Sequence, residues 1–89
     1  MQDAKATRVV KFSDSKRYAV QLLYDSLGWL FLSNGYTKRK LVLTSHEDSA
    51  KLFKRHGQAR SVMKMIVNAY KKGKVQSIHI IVGGEYEKQ

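Results

Sequence analysis

Histidine is the residue type best suited to acid–base chemistry near neutral pH, and the chain has three: His46, His56 and His79. His46 and Glu47, with His56 further along, make a combination that could serve a small ribonuclease as general acid and base. Against that role, His46 falls at a helix start and His56 lies beside Gly57, ordinary places for a solvent-exposed imidazole. His79 sits mid-strand and reads as a half-buried filler. No two histidines have i, i+4 spacing and no cluster of acidic residues accompanies them, so metal ligation has no support. The nucleophiles are limited to serine and threonine. No Gly-x-Ser-x-Gly elbow and no phosphate-cradling glycine loop occurs, and the absence of cysteine removes thiolate chemistry and disulfides. The chain therefore reads as a non-enzyme without a cofactor, with a histidine-dependent ribonuclease toxin as the least favoured alternative.

Charge is the second chemical signal, and it is stronger. Seventeen Lys and Arg against seven Asp and Glu give a formal +10. Eleven of the basic residues fall between Lys38 and Lys74: Lys38, Arg39, Lys40, Lys51, Lys54, Arg55, Arg60, Lys64, Lys71, Lys72 and Lys74. Only Glu47 and Asp48 oppose them, so this segment carries +9. Self-repulsion on that scale works against a compact state unless a polyanion compensates it. Nucleic acid, an acidic protein surface or an anionic membrane would do so, whereas a charge run that only solvates one face is the plainer alternative. No apolar run approaches the length of a membrane span and no signal peptide opens the chain, so a soluble protein in a reducing cytoplasm is expected, with no membrane partner.

These side chains need a scaffold, and 89 residues allow one domain over residues 1–89. Residues 1–7 read as a loose arm and 85–89 as a polar tail, with a short strand at 8–12. Period-two alternation from Tyr18 to Tyr24 marks a strand; Gly28 ends the turn that follows, and Trp29 to Ser33 forms a second, aromatic-rich strand. Asn34-Gly35 signals a type I′ hairpin, with a third strand from Tyr36 to Leu43 or Thr44. Thr44 and Glu47 have capping-box spacing. The region behind them admits a full helix to His56 or, as favoured, one helical turn through Ala50 and an extended piece over 51–54. Ala59, Val62, Met63, Ile66 and Tyr70 form a continuous apolar stripe, predicting a helix over 58–72 with Gly73 as its stop. A β-branched strand over 74–82 follows, ended by Gly83-Gly84. The expected class is α+β: an antiparallel sheet, made of a three-stranded meander and a C-terminal strand, packed on one long helix.

On that scaffold Arg60, Lys64 and Lys71 share a side of the helix away from the apolar stripe. Lys38, Arg39 and Lys40 project from the third strand, and Lys54 and Arg55 precede the helix. With Lys72 and Lys74, these can converge on one patch that neutralises phosphates. Trp29, Phe31 and Tyr36 would stack on unpaired bases if they face outward; the plainer alternative is that two of them cover the helix. The set proposed for contact with nucleic acid or an acidic partner is therefore Lys38, Arg39, Lys40, Lys54, Arg55, Arg60, Lys64, Lys71, Lys72, Lys74, Trp29 and Tyr36. An apolar exposed edge would also allow a homodimer.

Gly28-Trp29-Leu30, Ser33-Asn34-Gly35-Tyr36, Glu47 to Phe53 and the alanine-bearing helix from Ala59 to Ile66 together resemble a family of short phage-encoded proteins. The likeness covers a little over half the chain. It implies a phage or prophage origin, where small basic proteins often inhibit host enzymes or bacterial defence, anti-CRISPR proteins among them. Its partner would then be nucleic acid, or an acidic bacterial protein or nucleoprotein, in the host cytoplasm. Three strands followed by Phe53-Lys54-Arg55-His56-Gly57-Gln58-Ala59-Arg60 and a helix are also similar to the arm-binding domains of phage integrases. Those domains set a three-stranded sheet into the DNA major groove. This chain departs from them in the insertion over 44–50 and the strand after the helix.

Overall fold

The computed structural model describes residues 4–37 and 39–81. Lys38, the Gly83-Gly84 stop and the tail over 85–89 lie outside the described residues. Five strands and one helix follow in the order β1 (Ala6–Phe12), β2 (Arg17–Tyr24), β3 (Gly28–Leu32), β4 (Lys40–Thr44), α1 (His56–Lys71) and β5 (Ser77–Ile81). The strands lie in the sheet in sequence order. The class is α+β as expected, but the sheet is mixed. β1 through β4 pair antiparallel, whereas β5 pairs parallel to β4, with Leu41 beside Ile78 and Leu43 beside Ile80. The reason is the intervening helix. A 16-residue helix spans ~24 Å, enough to carry the chain from the end of β4 back to its start, so the next strand must run the same way.

Alternation in β2 sends Val20, Leu22 and Tyr24 to the helix side, where they meet Leu30, Leu32, Leu41, Leu43 and the helix residues Ala59, Ile66 and Ala69. The opposite face carries a second, smaller cluster of Ala19, Phe31 and Ala50 with Val10 and Phe12. Both faces of the sheet thus carry an apolar cluster, and Ala50, from the chain between β4 and α1, joins the one on the reverse side. That segment makes a single 3-10 turn, Glu47–Ser49, before Ala50 bridges Ser33 and Phe53 bridges Tyr18. Pairing between β2 and β3 stops at Gln21 and Phe31, and the extended residues 50–53 take up the hydrogen bonds beyond it, Lys51 N–H to Leu32 O and Phe53 N–H to Tyr18 O. The short turn favoured from the sequence is what forms.

Several local expectations need correction. The arm is already β1 from Ala6, and Lys5 N–H donates to Leu23 O, so the loose stretch ends earlier than residue 7. Asn34-Gly35 is not a type I′ turn: Gly35 has φ 90°, but Asn34 is not in the left-handed region. β4 therefore starts at Lys40, after Thr37 closes a second turn by donating to Lys40 O and accepting from the Arg39 and Lys40 N–H groups through its hydroxyl. The Thr44–Glu47 capping box is absent, because Thr44 is still a fully buried strand residue whose hydroxyl accepts from His46 N–H. α1 begins two residues early, where the Gln58 side-chain oxygen accepts from Arg55 N–H, 3.3 Å away.

The helix end fits its sequence. Gly73 has φ 66°, its N–H donates to Tyr70 O, and Lys74 N–H donates to Ala69 O, the paired bonds of a Schellman stop. The turn between β1 and β2 is the strained one, since Lys16 adopts φ 56° without being glycine. Lys16→Gly should stabilise the fold by about 0.5–1 kcal/mol, the left-handed penalty less glycine's extra chain entropy. Urea unfolding checks this, and a less stable variant would contradict it.

Candidate nucleic-acid interface

The helix stop brings two basic segments together. Gln76 N–H donates to Arg39 O at 2.6 Å, tying the stretch after α1 to the start of β4. Arg39, Gly73, Lys74 and Gln76 there line a depression of about 380 Å³. Lys74 also lines the next, of about 430 Å³, with Ser61, Lys64, Met65, Asn68, Ala69 and Lys72. Ser61 in turn belongs to a third, of about 680 Å³, lined by Lys51, Leu52, Phe53, Lys54, Gln58 and Val62. Shared residues make the three a continuous open groove along one flank of α1. Its cations are Arg39, Lys74, Lys72, Lys64, Lys54 and Lys51, and among the described residues no carboxylate lines it.

Among the described residues the one ion pair is Lys5 with Asp25, just before β1 and just after β2, remote in sequence from these cations. The groove's positive charge is therefore not neutralised by ion pairs within the described chain. The negative end of the α1 dipole is also blunted, because the Asn68, Ala69 and Tyr70 carbonyls accept from Lys72, Lys74 and Gly73 N–H groups.

Of the residues singled out from sequence, Arg39, Lys54, Lys64, Lys72 and Lys74 are brought together. Lys40 is exposed one residue beyond Arg39, on the opposite side of the sheet from buried Leu41. Arg55, Arg60 and Lys71 are exposed but line none of the three depressions. Lys51, Ser61, Met65 and Asn68 were not foreseen, although Ser61, Met65, Asn68 and Lys72 repeat at i, i+4, i+7 and i+11, a legible second stripe.

Trp29, Phe31 and Tyr36 do not line the groove. Tyr36 is half-buried against the helix-side core, and burial raises its phenol above the ordinary tyrosine value. Trp29 points to the reverse face, where the Arg8 guanidinium lies 3.9 Å from its ring and donates to Gln21 Oε1 at 2.7 Å. Phe31 is buried on that same face with Phe12 edge-on at 5.6 Å. The alternative that two of the three cover the helix is thus corrected: only Tyr36 packs on the helix side, while Phe31 belongs to the second cluster and Trp29 lies under Arg8.

The histidines sit on three different elements, His46 before the 3-10 turn, His56 opening α1 and His79 on β5, all exposed. His79 is not the half-buried filler expected. His56 packs edge-on against Tyr18 at 5.5 Å. Among the described residues no group of three His, Cys, Asp or Glu could hold a metal ion, and no helix is long and apolar enough to cross a membrane. No protein-family model, no curated protein and no solved structure matches this chain.

Proposed function

We propose that this chain is a small phage-type accessory protein of the bacterial cytoplasm that binds nucleic acid through the groove beside α1, without catalysing a reaction. The observation that carries this is the row Arg39, Lys74, Lys72 and Lys64, which runs from the residue before β4 through the stop of α1 onto the helix, is tied by the Gln76–Arg39 hydrogen bond and is lined by no carboxylate among the described residues. Each phosphate neutralised releases condensed counterions, so affinity follows from charge alone. Four such contacts give a log–log salt slope of about −3.6 on duplex DNA. Anisotropy titrations of labelled nucleic acid between about 50 and 200 mM salt measure it. A salt-insensitive affinity, or no binding at the low end, would remove this role.

One observation favours a second reading, a direct protein inhibitor of a bacterial defence or host enzyme. Leu52 is 41% exposed between Lys51 and Lys54, an apolar spot with a basic rim that suits an acidic protein surface. That reading expects a stoichiometric protein complex that survives nuclease treatment. Loss of the partner on nuclease treatment rules it out.

A further inference from the structure

We infer that the groove takes the backbone of a double-stranded nucleic acid and does not hold unpaired bases. The inference rests on the nucleic-acid reading of the same face and adds the class of strand. Sequence-tolerant binding of single strands draws ~1–3 kcal/mol per base from stacking on exposed aromatic rings beside the cations. Among the described residues the rings are engaged elsewhere or buried. Tyr24 and Tyr70 share a 2.7 Å hydroxyl hydrogen bond, Tyr18 takes the edge of His56, Phe53 is buried, and Trp29 lies beneath Arg8 on the other side of the sheet. The exposed apolar part of the groove wall is aliphatic, Val62, Met65 and Leu52, and the one ring that lines it, Phe53, is only 8% exposed and lies beneath Lys51.

The charge carriers point the same way. Three of the four central cations are lysines, compact point charges that meet phosphate without the planar fork that reads a guanine edge. Ser61 and Asn68 supply short polar groups of the kind that bond phosphate and sugar oxygens. The backbone beneath the array is also held in place. Lys64 rides on α1, whereas Lys72 and Lys74 are fixed by the Schellman bonds and Arg39 by Gln76. A row of cations on a fixed backbone along a ~24 Å helix suits a stiff polyanion with one charge per ~1.7 Å of axis. A flexible single strand must be ordered first and brings fewer charges to the same length.

The test is equilibrium binding of the full chain, at one fixed salt, to labelled DNA and RNA duplexes of about 16 base pairs and to oligo-dT of the same length. Both duplexes should bind at least about tenfold tighter than oligo-dT, with no dependence on duplex sequence. The DNA and RNA arms separate B-form from A-form preference, and tighter binding of either supports the inference. Oligo-dT bound as tightly as the duplexes would overturn it while leaving the nucleic-acid reading standing. Binding to none of the three would overturn both. Trp29→Ala should leave every affinity unchanged, and a tenfold loss on oligo-dT alone would place stacking in the site after all.

Discussion

Replacing Lys64, Lys72 and Lys74 together by glutamate is expected to abolish duplex binding, with a loss of at least about 100-fold and a salt slope smaller by about 2.7. All three line the central depression, and Lys74 joins it to Arg39. Three attractive contacts become three repulsive ones at the sites nearest the phosphates. The fold should tolerate this. The three side chains are exposed, glutamate is a good helix former at Lys64, and the changes at Lys72 and Lys74 forfeit only ~0.3–1 kcal/mol each of helix-end electrostatics. Each exchange removes two charge units, so the net charge falls from +10 to +4. Net charge alone could weaken binding, and Lys11→Glu with Lys16→Glu, on β1 and its turn, controls for that. This control should lose only a few-fold in affinity by the long-range effect. Equal losses in the two variants would mean that overall charge, and not the groove, governs binding.

Leu22→Ala should produce the largest loss of stability of any single truncation considered. Leu22 is fully buried at the centre of β2, paired across to Leu30 on one side and Thr7 on the other, and it faces the helix-side core. Removing its branched end leaves a cavity between sheet and helix that a five-stranded sheet cannot close by a small shift. The expected cost is ~3 kcal/mol, a large part of the ~5–15 kcal/mol that holds a domain together. In thermal unfolding that corresponds to a Tm lower by roughly 12–24 °C for a chain of this size. A cost under about 1 kcal/mol would show that the sheet and helix are not packed as described.

What was legible in the sequence follows from which signals are local. The β2 alternation, the α1 stripe and the Gly73 stop each depend on residues within a few positions of one another, and each formed as read. The helix after β4 also contained the answer to the sheet's mixed character, since a strand that follows a crossover helix and joins its neighbour must run parallel. The expectation of an all-antiparallel sheet extended the hairpin pattern past the point where the connection changed. Asn34-Gly35 misled because Thr37 offers its own hydroxyl to two backbone N–H groups and so places the reversal later.

For the site, the convergence of Arg39 with Lys72 and Lys74 required the parallel β5, whose start brings Gln76 against Arg39. The basic residues were recognisable by type, but their grouping was set by that long-range pairing. The aromatics were harder, because period two says that side chains alternate without saying which face is solvated. Both faces carry an apolar cluster here; Phe31 and Tyr36 were drawn into them, and Trp29 was taken up by Arg8.

The most direct measurement is an amide chemical-shift map of the folded protein titrated with a duplex of about 16 base pairs at low salt. The groove account places the shifted resonances at Arg39, Ser61, Lys64, Asn68, Lys72 and Lys74, with Arg8, Val10 and Trp29 unmoved. Shifts confined to the Arg8–Trp29 face, or scattered evenly over every lysine and arginine, would contradict it.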